Sequence, residues 1–292
     1  MKPSGRVRPG TSFIFRVLFC VRTHVVKSKE VFFYAQNRTG ASLWVSQNFL
    51  TGRTVIRRML DRTTLSKSDH VVEIGPGKGH LTAALAERCG RVSAVELDGG
   101  LYHRLLARFP AGGPVRLYHR DFLTWPLPKD DYKVFSNIPF SITSAILRRL
   151  TQSGRPPREV WLVMEKGAAK RYLGRPEMTL KSLLLAPWFD GDIVYPFRRE
   201  DFHPAPRVDT VLFHLRRKEA PDLPWEQQRA YIAFCERGFG GGAAGLRRIL
   251  PRNQLTAALR DAGLPRDFRS ADMRYVQWLC LFRWAVRFGT AG

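Results

Sequence analysis

Four short groups of residues could do chemistry together. Glu73-Ile74-Gly75-Pro76-Gly77-Lys78-Gly79 puts an acid two places before a glycine-rich turn, Glu96 follows 21 residues after Gly75, then come Asp121-Phe122 and Asn137-Ile138-Pro139-Phe140. Glycines let a backbone approach a ligand closely, and a helix opening after them aims N–H groups at it. A carboxylate at the end of the next strand can accept both hydroxyls of a ribose. Asp121 can accept from an exocyclic amine while Phe122 covers the ring, so the set predicts a pocket for an adenosine-type cofactor.

Two such cofactors compete, a dinucleotide and S-adenosylmethionine. The glycine spacing is GxGxG, not the GxGxxG that makes room for a pyrophosphate. Glu73 would repel a diphosphate but favour a sulfonium and an ammonium. The expectation is therefore S-adenosyl-L-methionine, with Gly75, Glu96, Asp121 and Asn137 around it. A methyl acceptor must then lie in line with the sulfonium. An adenine amine is a poor nucleophile, and acceptors that hold its two hydrogens draw its lone pair out of the ring. The Asn137 side-chain oxygen and the Ile138 carbonyl supply two acceptors. Pro139 fixes the corner without an N–H, and Phe140 offers a face on which an extruded base can stack.

The elements that must carry these groups are legible in the apolar periodicity. Strands are predicted at 70–74, 91–97, 115–119, 132–136, 159–165, 191–197 and 208–215, with helices at 51–61, 80–88, 98–108, 141–150, 166–173 and 178–188. This alternation predicts an α/β fold, a seven-stranded Rossmann-like sheet whose last two strands form an antiparallel pair at the edge. After the charged, proline-containing stretch RRKEAPDLP (216–224) the pattern turns helical, at 225–237, 243–250, 252–262 and 272–287. The run GFGGGAAG (238–245) has no strand before it and reads as an inter-helix turn. The expected division is a basic extension over 1–40, a sheet domain over 41–216 and a helical RNA-binding domain over 217–292.

The chain has 292 residues, a formal charge of +23 and a pI near 10.7, which points to a polyanion such as nucleic acid. Four scattered cysteines and seven scattered histidines make neither a disulfide framework nor a zinc site, so no metal is expected. The apolar run broken by Arg16 and the run 275–288, which carries Arg283 and Arg287, fall short of the ~20 apolar residues of a membrane span. A monomer in the bacterial cytoplasm is expected. The acid-free basic start also resembles an organellar import signal.

Asn-Ile-Pro-Phe closely resembles the NxP(Y/F) motif of amino-methyltransferases, in the NIP(Y/F) form of rRNA adenine-N6 methyltransferases. SQNFLTGRTVI (46–56) and FHPAPRVDTVLF (202–213) resemble the QNFL and FxPxPxVxSxL segments of the same superfamily, with Thr210 where Ser is frequent. The resemblance spans about residues 43–290. It is nearest to the Erm-type 23S rRNA methyltransferases, to which Ile138 and the forms SQNFLT and GKGHLT point. The resemblance implies a class I S-adenosylmethionine-dependent methyltransferase acting on 23S rRNA. It implies that methylation of one adenine in the peptidyl-transferase loop confers macrolide–lincosamide–streptogramin B resistance. It adds Asn48 and Leu50 to the cofactor contacts, and Phe202 as a second wall beside Phe140 for the target base. The competing expectations are a small-subunit rRNA dimethyltransferase, its mitochondrial transcription-factor relative, a non-catalytic RNA binder and a DNA adenine methyltransferase.

Overall fold

The computed structural model describes residues 49–50 and 52–288, all within one compact unit. The basic extension and Asn48 lie outside the described residues. Nine strands occur among them: β1 (Phe49–Leu50), β2 (His70–Ile74), β3 (Arg91–Glu96), β4 (Val115–His119), β5 (Lys133–Asn137), β6 (Glu159–Glu165), β7 (Phe189–Pro196), β8 (Phe202–His203) and β9 (Thr210–Arg217). Seven of them form one sheet in the order β4-β3-β2-β5-β6-β9-β7, while β1 and β8 pair separately. Strands β4 to β6 run parallel, and β9 enters antiparallel between β6 and β7. The expected antiparallel pair is present, with its later strand on the inside. The β1–β8 ribbon was not foreseen, because two residues carry no periodicity.

The central strands are buried on both faces, as covered parallel strands must be. Their side chains alternate between two cores. Val72, Val134 and Leu162 point to one, whereas Val71, Phe135 and Trp161 point to the other. Helix α1 (Arg53–Leu60) closes the second core with Ile56, Met59 and Leu60, and α2 (His80–Arg88) adds Leu81 and Leu85. Helix α3 (Gly99–Arg108) starts where Asp98 accepts from the Leu101 N–H at 2.7 Å, a side-chain cap of the usual kind. Helices α4 (Thr143–Thr151), α5 (Lys166–Tyr172) and α6 (Leu180–Leu185) follow β5 and β6.

The later helices are α7 (Gln228–Arg247), α8 (Arg252–Asp261) and α9 (Tyr275–Phe288). The expected break in the glycine run is a kink inside α7, at Gly242 with φ 51° and ψ −137°. Tyr231 of α7 and Trp278 of α9 are buried in the same core as Trp188 and Val134. Helix α9 faces that core with Trp278, Leu279, Leu281 and Phe282. Among the described residues no helix is long and apolar enough to cross a membrane, and no group of His, Cys, Asp or Glu is placed to hold a metal.

The amino-terminal ends of β5, β6 and the carboxyl-terminal end of β9 are tied by one polar network. Buried Lys133 lies 3.2 Å from Asp69 and 3.3 Å from Glu159. Glu159 accepts from Thr64 at 2.6 Å and Trp161 at 3.2 Å, and lies 3.1 Å from His214 Nε2. Burial alone would raise the Glu159 carboxyl, but the bonds from His214 and Thr64 and the Lys133 charge outweigh it and hold the carboxyl near 2. A lowered folded pKa stabilises above the unfolded value of about 4.5 and is lost as pH falls toward 2. Glu159→Gln should therefore cost about 3 kcal/mol in urea unfolding at pH 7, a gap that closes as both proteins are titrated below pH 4. An equal midpoint for the two proteins at pH 7 would refute this role.

Candidate active site

The sheet order turns the chain order of the predicted site residues into a row. Asp121 follows β4, Glu96 ends β3, the glycine turn follows β2, and Asn137 ends β5, all at the carboxyl ends of four adjacent parallel strands. The order in which the strands are laid down reverses between the parallel strands β2 and β5, and such a switch point is where open α/β sheets bind ligands. Hydrogen bonds link the row. The Arg120 N–H donates to the Glu96 carbonyl at 3.0 Å, and the Gly75 N–H to the Val95 carbonyl at 2.9 Å. The Gly77 N–H donates to Glu96 Oε2 at 3.0 Å, and the Ile74 N–H to Ser136 Oγ at 2.6 Å.

The glycine turn owes its residue types to two causes. Gly75 and Gly77 have φ of 65° and 57°, a region that side chains other than glycine rarely adopt. Gly79 also has positive φ, and a Cβ there would meet Leu105 at 2.7 Å and Phe109 at 2.9 Å. The third glycine thus lets α2 start against α3, while the first two shape the loop beside the crevice.

Glu73 is 1% exposed. Burial pushes its carboxyl up to about 8, with nearby Glu96 adding to the rise and the Thr82 hydroxyl tempering it. Glu73 Oε2 and Thr82 Oγ1 are nevertheless both buried without a hydrogen-bond partner of ordinary geometry. A buried acid left so is costly, and a cationic ligand at the crevice would relieve it. Glu96 is fully buried and raised by burial, against which backbone N–H groups of Asp98 and Gly77 pull it down. Each of its oxygens already accepts one such bond, at 2.9 and 3.0 Å. An ionised carboxylate has further lone pairs for two ribose hydroxyls. The donor set fits S-adenosylmethionine: an orphaned acid for its positive charges, a glycine turn for its backbone approach, and Glu96 for its sugar.

Asp121 has a local duty as well. Its Oδ1 accepts from the Leu123 N–H at 2.8 Å, and its carbonyl accepts from the Thr124 and Trp125 N–H groups. This is an Asx turn, and it occupies Oδ1 alone. Arg149 of α4 fastens the same turn by donating to the Trp125 carbonyl at 2.5 Å.

Asn137 is half-buried and pairs with Val163 across β5 and β6. Pro139 takes φ −60° and ψ 127°. The turn after it is closed by the Ile142 N–H on the Pro139 carbonyl and the Thr143 N–H on the Phe140 carbonyl, neither of which uses the Ile138 carbonyl. The Ile138 side chain is buried in the core and Phe140 is half-buried.

Leu50 and Phe202 belong to the separate two-stranded ribbon rather than to the seven-stranded sheet. They are register partners in the β1–β8 ribbon, so the SQNFL and FHPAP segments, 152 residues apart between these partners, are brought together. Phe202 is 3% exposed and packs edge-on to Phe197 at 5.3 Å. In this structure it is part of the core and offers a base no open face. Residues 197–209 do lie at the site end of the sheet, since β7 ends and β9 begins there. Sequence reasoning missed Thr82 and Ser136. Ser136 is a hydroxyl in an otherwise apolar strand beside Asn137, and Thr82 is one in the apolar start of the helix after the glycine turn; that was the available signal.

Residues 43–286 match the protein family described as Ribosomal RNA adenine dimethylase. An rRNA adenine N-6-methyltransferase of Bacillus licheniformis is 32% identical over 277 residues, covering 92% of each chain. The crystal structure of the 23S rRNA methyltransferase ErmE superimposes with a TM-score of 0.70 at 30% identity, over 82% of this chain and all of that one. A dimethyladenosine transferase of Plasmodium falciparum gives 0.67 at 19% identity, over 82% and 99%, a likeness of fold.

Proposed function

The chain belongs to the ribosomal RNA adenine dimethylase family, and on that premise we propose that it methylates N6 of one adenine in 23S rRNA, in the manner of Erm-type enzymes. The row of Asp121, Glu96, Gly75 and Asn137 along one sheet edge carries the reading of a methyl-transfer site. The likeness to ErmE at 30% identity, together with Ile138 in the NIPF turn, supports 23S rRNA as the substrate. Resistance to macrolide, lincosamide and streptogramin B antibiotics is the expected consequence.

When bound, S-adenosylmethionine supplies an electrophilic methyl group. The roles we assign to the chain are binding and orientation. Gly75, Glu96 and Asp121 hold the cofactor, with Asn48 and Leu50 as further contacts. The Asn137 side-chain oxygen and the Ile138 carbonyl accept the two amine hydrogens, so that the nitrogen lone pair faces the methyl group. That nitrogen would receive the methyl group from the cofactor held there, and the displaced amine proton would pass to solvent. Placement rather than a general base supplies the rate. Phe140 stacks on the extruded adenine, and Phe202 supports the loop opposite through the β1–β8 ribbon.

RNA binding is assigned to the helical region after residue 217. Arg237, Arg247, Arg248 and Arg252 are exposed there, and among the described residues none of their guanidinium groups enters a hydrogen bond or ion pair. Such groups can fork onto phosphate oxygens.

The deciding experiment offers radiolabelled cofactor with protein-free 23S and 16S rRNA and maps the label. Label confined to 16S rRNA would replace the 23S reading with a small-subunit one. Bound cofactor without transfer to either RNA would leave a non-catalytic binder. Phe140→Ala is expected to lower kcat/KM for rRNA by about 5- to 150-fold, the equivalent of 1–3 kcal/mol of stacking. A wild-type value with wild-type RNA affinity would remove Phe140 from the target site.

A further inference from the structure

We infer that Ser136 is a positioning residue whose hydroxyl holds open the split between β2 and β5, and so sets the distance between the glycine turn and Asn137. The inference rests on the reading of this edge as the cofactor crevice.

Strands β2 and β5 pair only through Val71↔Lys133 and Val72↔Val134. Their outer partnerships continue further. β2 stays with β3 as far as Ile74↔Val95, and β5 stays with β6 as far as Asn137↔Val163. The two strands therefore part from each other while each is held from outside. A parted strand has a backbone donor to satisfy, here the buried Ile74 N–H. It finds Ser136 Oγ at 2.6 Å, and Ser136 is 0% exposed. A side-chain acceptor reaches across a gap that a ladder carbonyl cannot.

The position of this bond matters as much as its existence. Ile74 precedes Gly75, whose φ of 65° opens the cofactor turn, and Ser136 precedes Asn137. Removal of the hydroxyl leaves two states. Either the Ile74 N–H stays unpaired in the interior, or the strands close until it meets a β5 carbonyl. Both displace Gly75 relative to Asn137, and a shift of about 1 Å at reacting groups can cost about 10²-fold.

The test compares Ser136→Ala with Ser136→Thr, which keeps the hydroxyl, and Ser136→Cys, which keeps the shape with a weaker acceptor. S-adenosylhomocysteine affinity is measured by calorimetry, thermal stability by circular dichroism and the Ile74 amide by hydrogen exchange. Ser136→Ala should weaken S-adenosylhomocysteine about tenfold, the loss of one placed hydrogen bond, with Cys between Ala and the wild type. Ser136→Thr should stay within about threefold of the wild type. The Ile74 amide should change its exchange rate in Ser136→Ala without any ligand present. If Ala lowers only the melting temperature and leaves affinity and Ile74 exchange unchanged, the residue is merely structural and the inference fails. Should Ala not fold, wild-type affinity in Cys would overturn it equally. A wild-type protein that binds no S-adenosylhomocysteine would sink the proposed function, whereas Ile74 exchange would still judge Ser136.

Discussion

Asn137→Ala should abolish methyl transfer at saturating cofactor, lowering kcat by about 10³-fold, while the protein melts within a few degrees of the wild type. Losing one preorganised polar group that acts in the transition state costs about 10²–10³-fold. Asn137 also orients the amine, and orientation is the main service assigned to this site, so the upper end is expected. The fold should tolerate the change because Asn137 is the last residue of β5, half-buried, and its backbone pairing with Val163 does not depend on the side chain. Ser136 and Ile138 on either side are the buried ones. Single-turnover transfer to rRNA, read beside a circular-dichroism melt, separates the two effects. A variant that transfers at the wild-type rate would show that the amine acceptors lie elsewhere.

Glu73→Gln should weaken S-adenosylmethionine by about 10²-fold, as expected when one partner of a desolvated charge pair is removed, yet raise the melting temperature of the ligand-free protein at pH 8. The two signs share one cause. Burial lifts the Glu73 carboxyl to about 8, against about 4.5 when unfolded. With the folded value raised, the unfolded state gives up its proton first, so the stability of the empty protein falls as pH rises from 4.5 to 8. A cationic ligand reverses the preference and draws the proton off. Cofactor affinity of the wild type should therefore climb with pH up to about 8 and then level, whereas the glutamine variant should show no such climb. Parallel pH profiles for the two proteins, measured by calorimetry, would refute the pairing of Glu73 with the cofactor.

The residues that do local and chemical work in one stretch were legible; those that act by meeting something distant were not. HVVEI, RVSAVE and KVFSN announce buried strands by composition, and the glycine turn, Glu96 and Asn137 sit where those strands end, so the row along the sheet edge was readable before any coordinates. The helix boundaries near GFGGGAAG were harder, because glycine marks a kink as readily as an end, and α7 passes through with one residue out of helical geometry. The β1–β8 ribbon and the bond from Ile74 to Ser136 depend on partners 152 and 62 residues away, and local periodicity carries no record of such partners. Phe202 is the converse case. Its motif pointed to a base-facing wall, while its neighbours Phe197 and Leu50 draw the ring into the core.

The merged core of sheet and helices has a consequence for exchanging parts between relatives. Trp188, just before β7, donates its indole N–H to the Leu223 carbonyl at 3.0 Å and meets Tyr231 edge-on at 5.6 Å. The Gln228 side chain reaches the Thr151 carbonyl at the end of α4 at 2.9 Å. A chimera cut at residue 217, with helices taken from a relative of different RNA preference, would strand Trp188 and the Thr151 carbonyl at a foreign seam. The transplantable unit is the helices together with the sheet wall beneath them, because the two halves close one core.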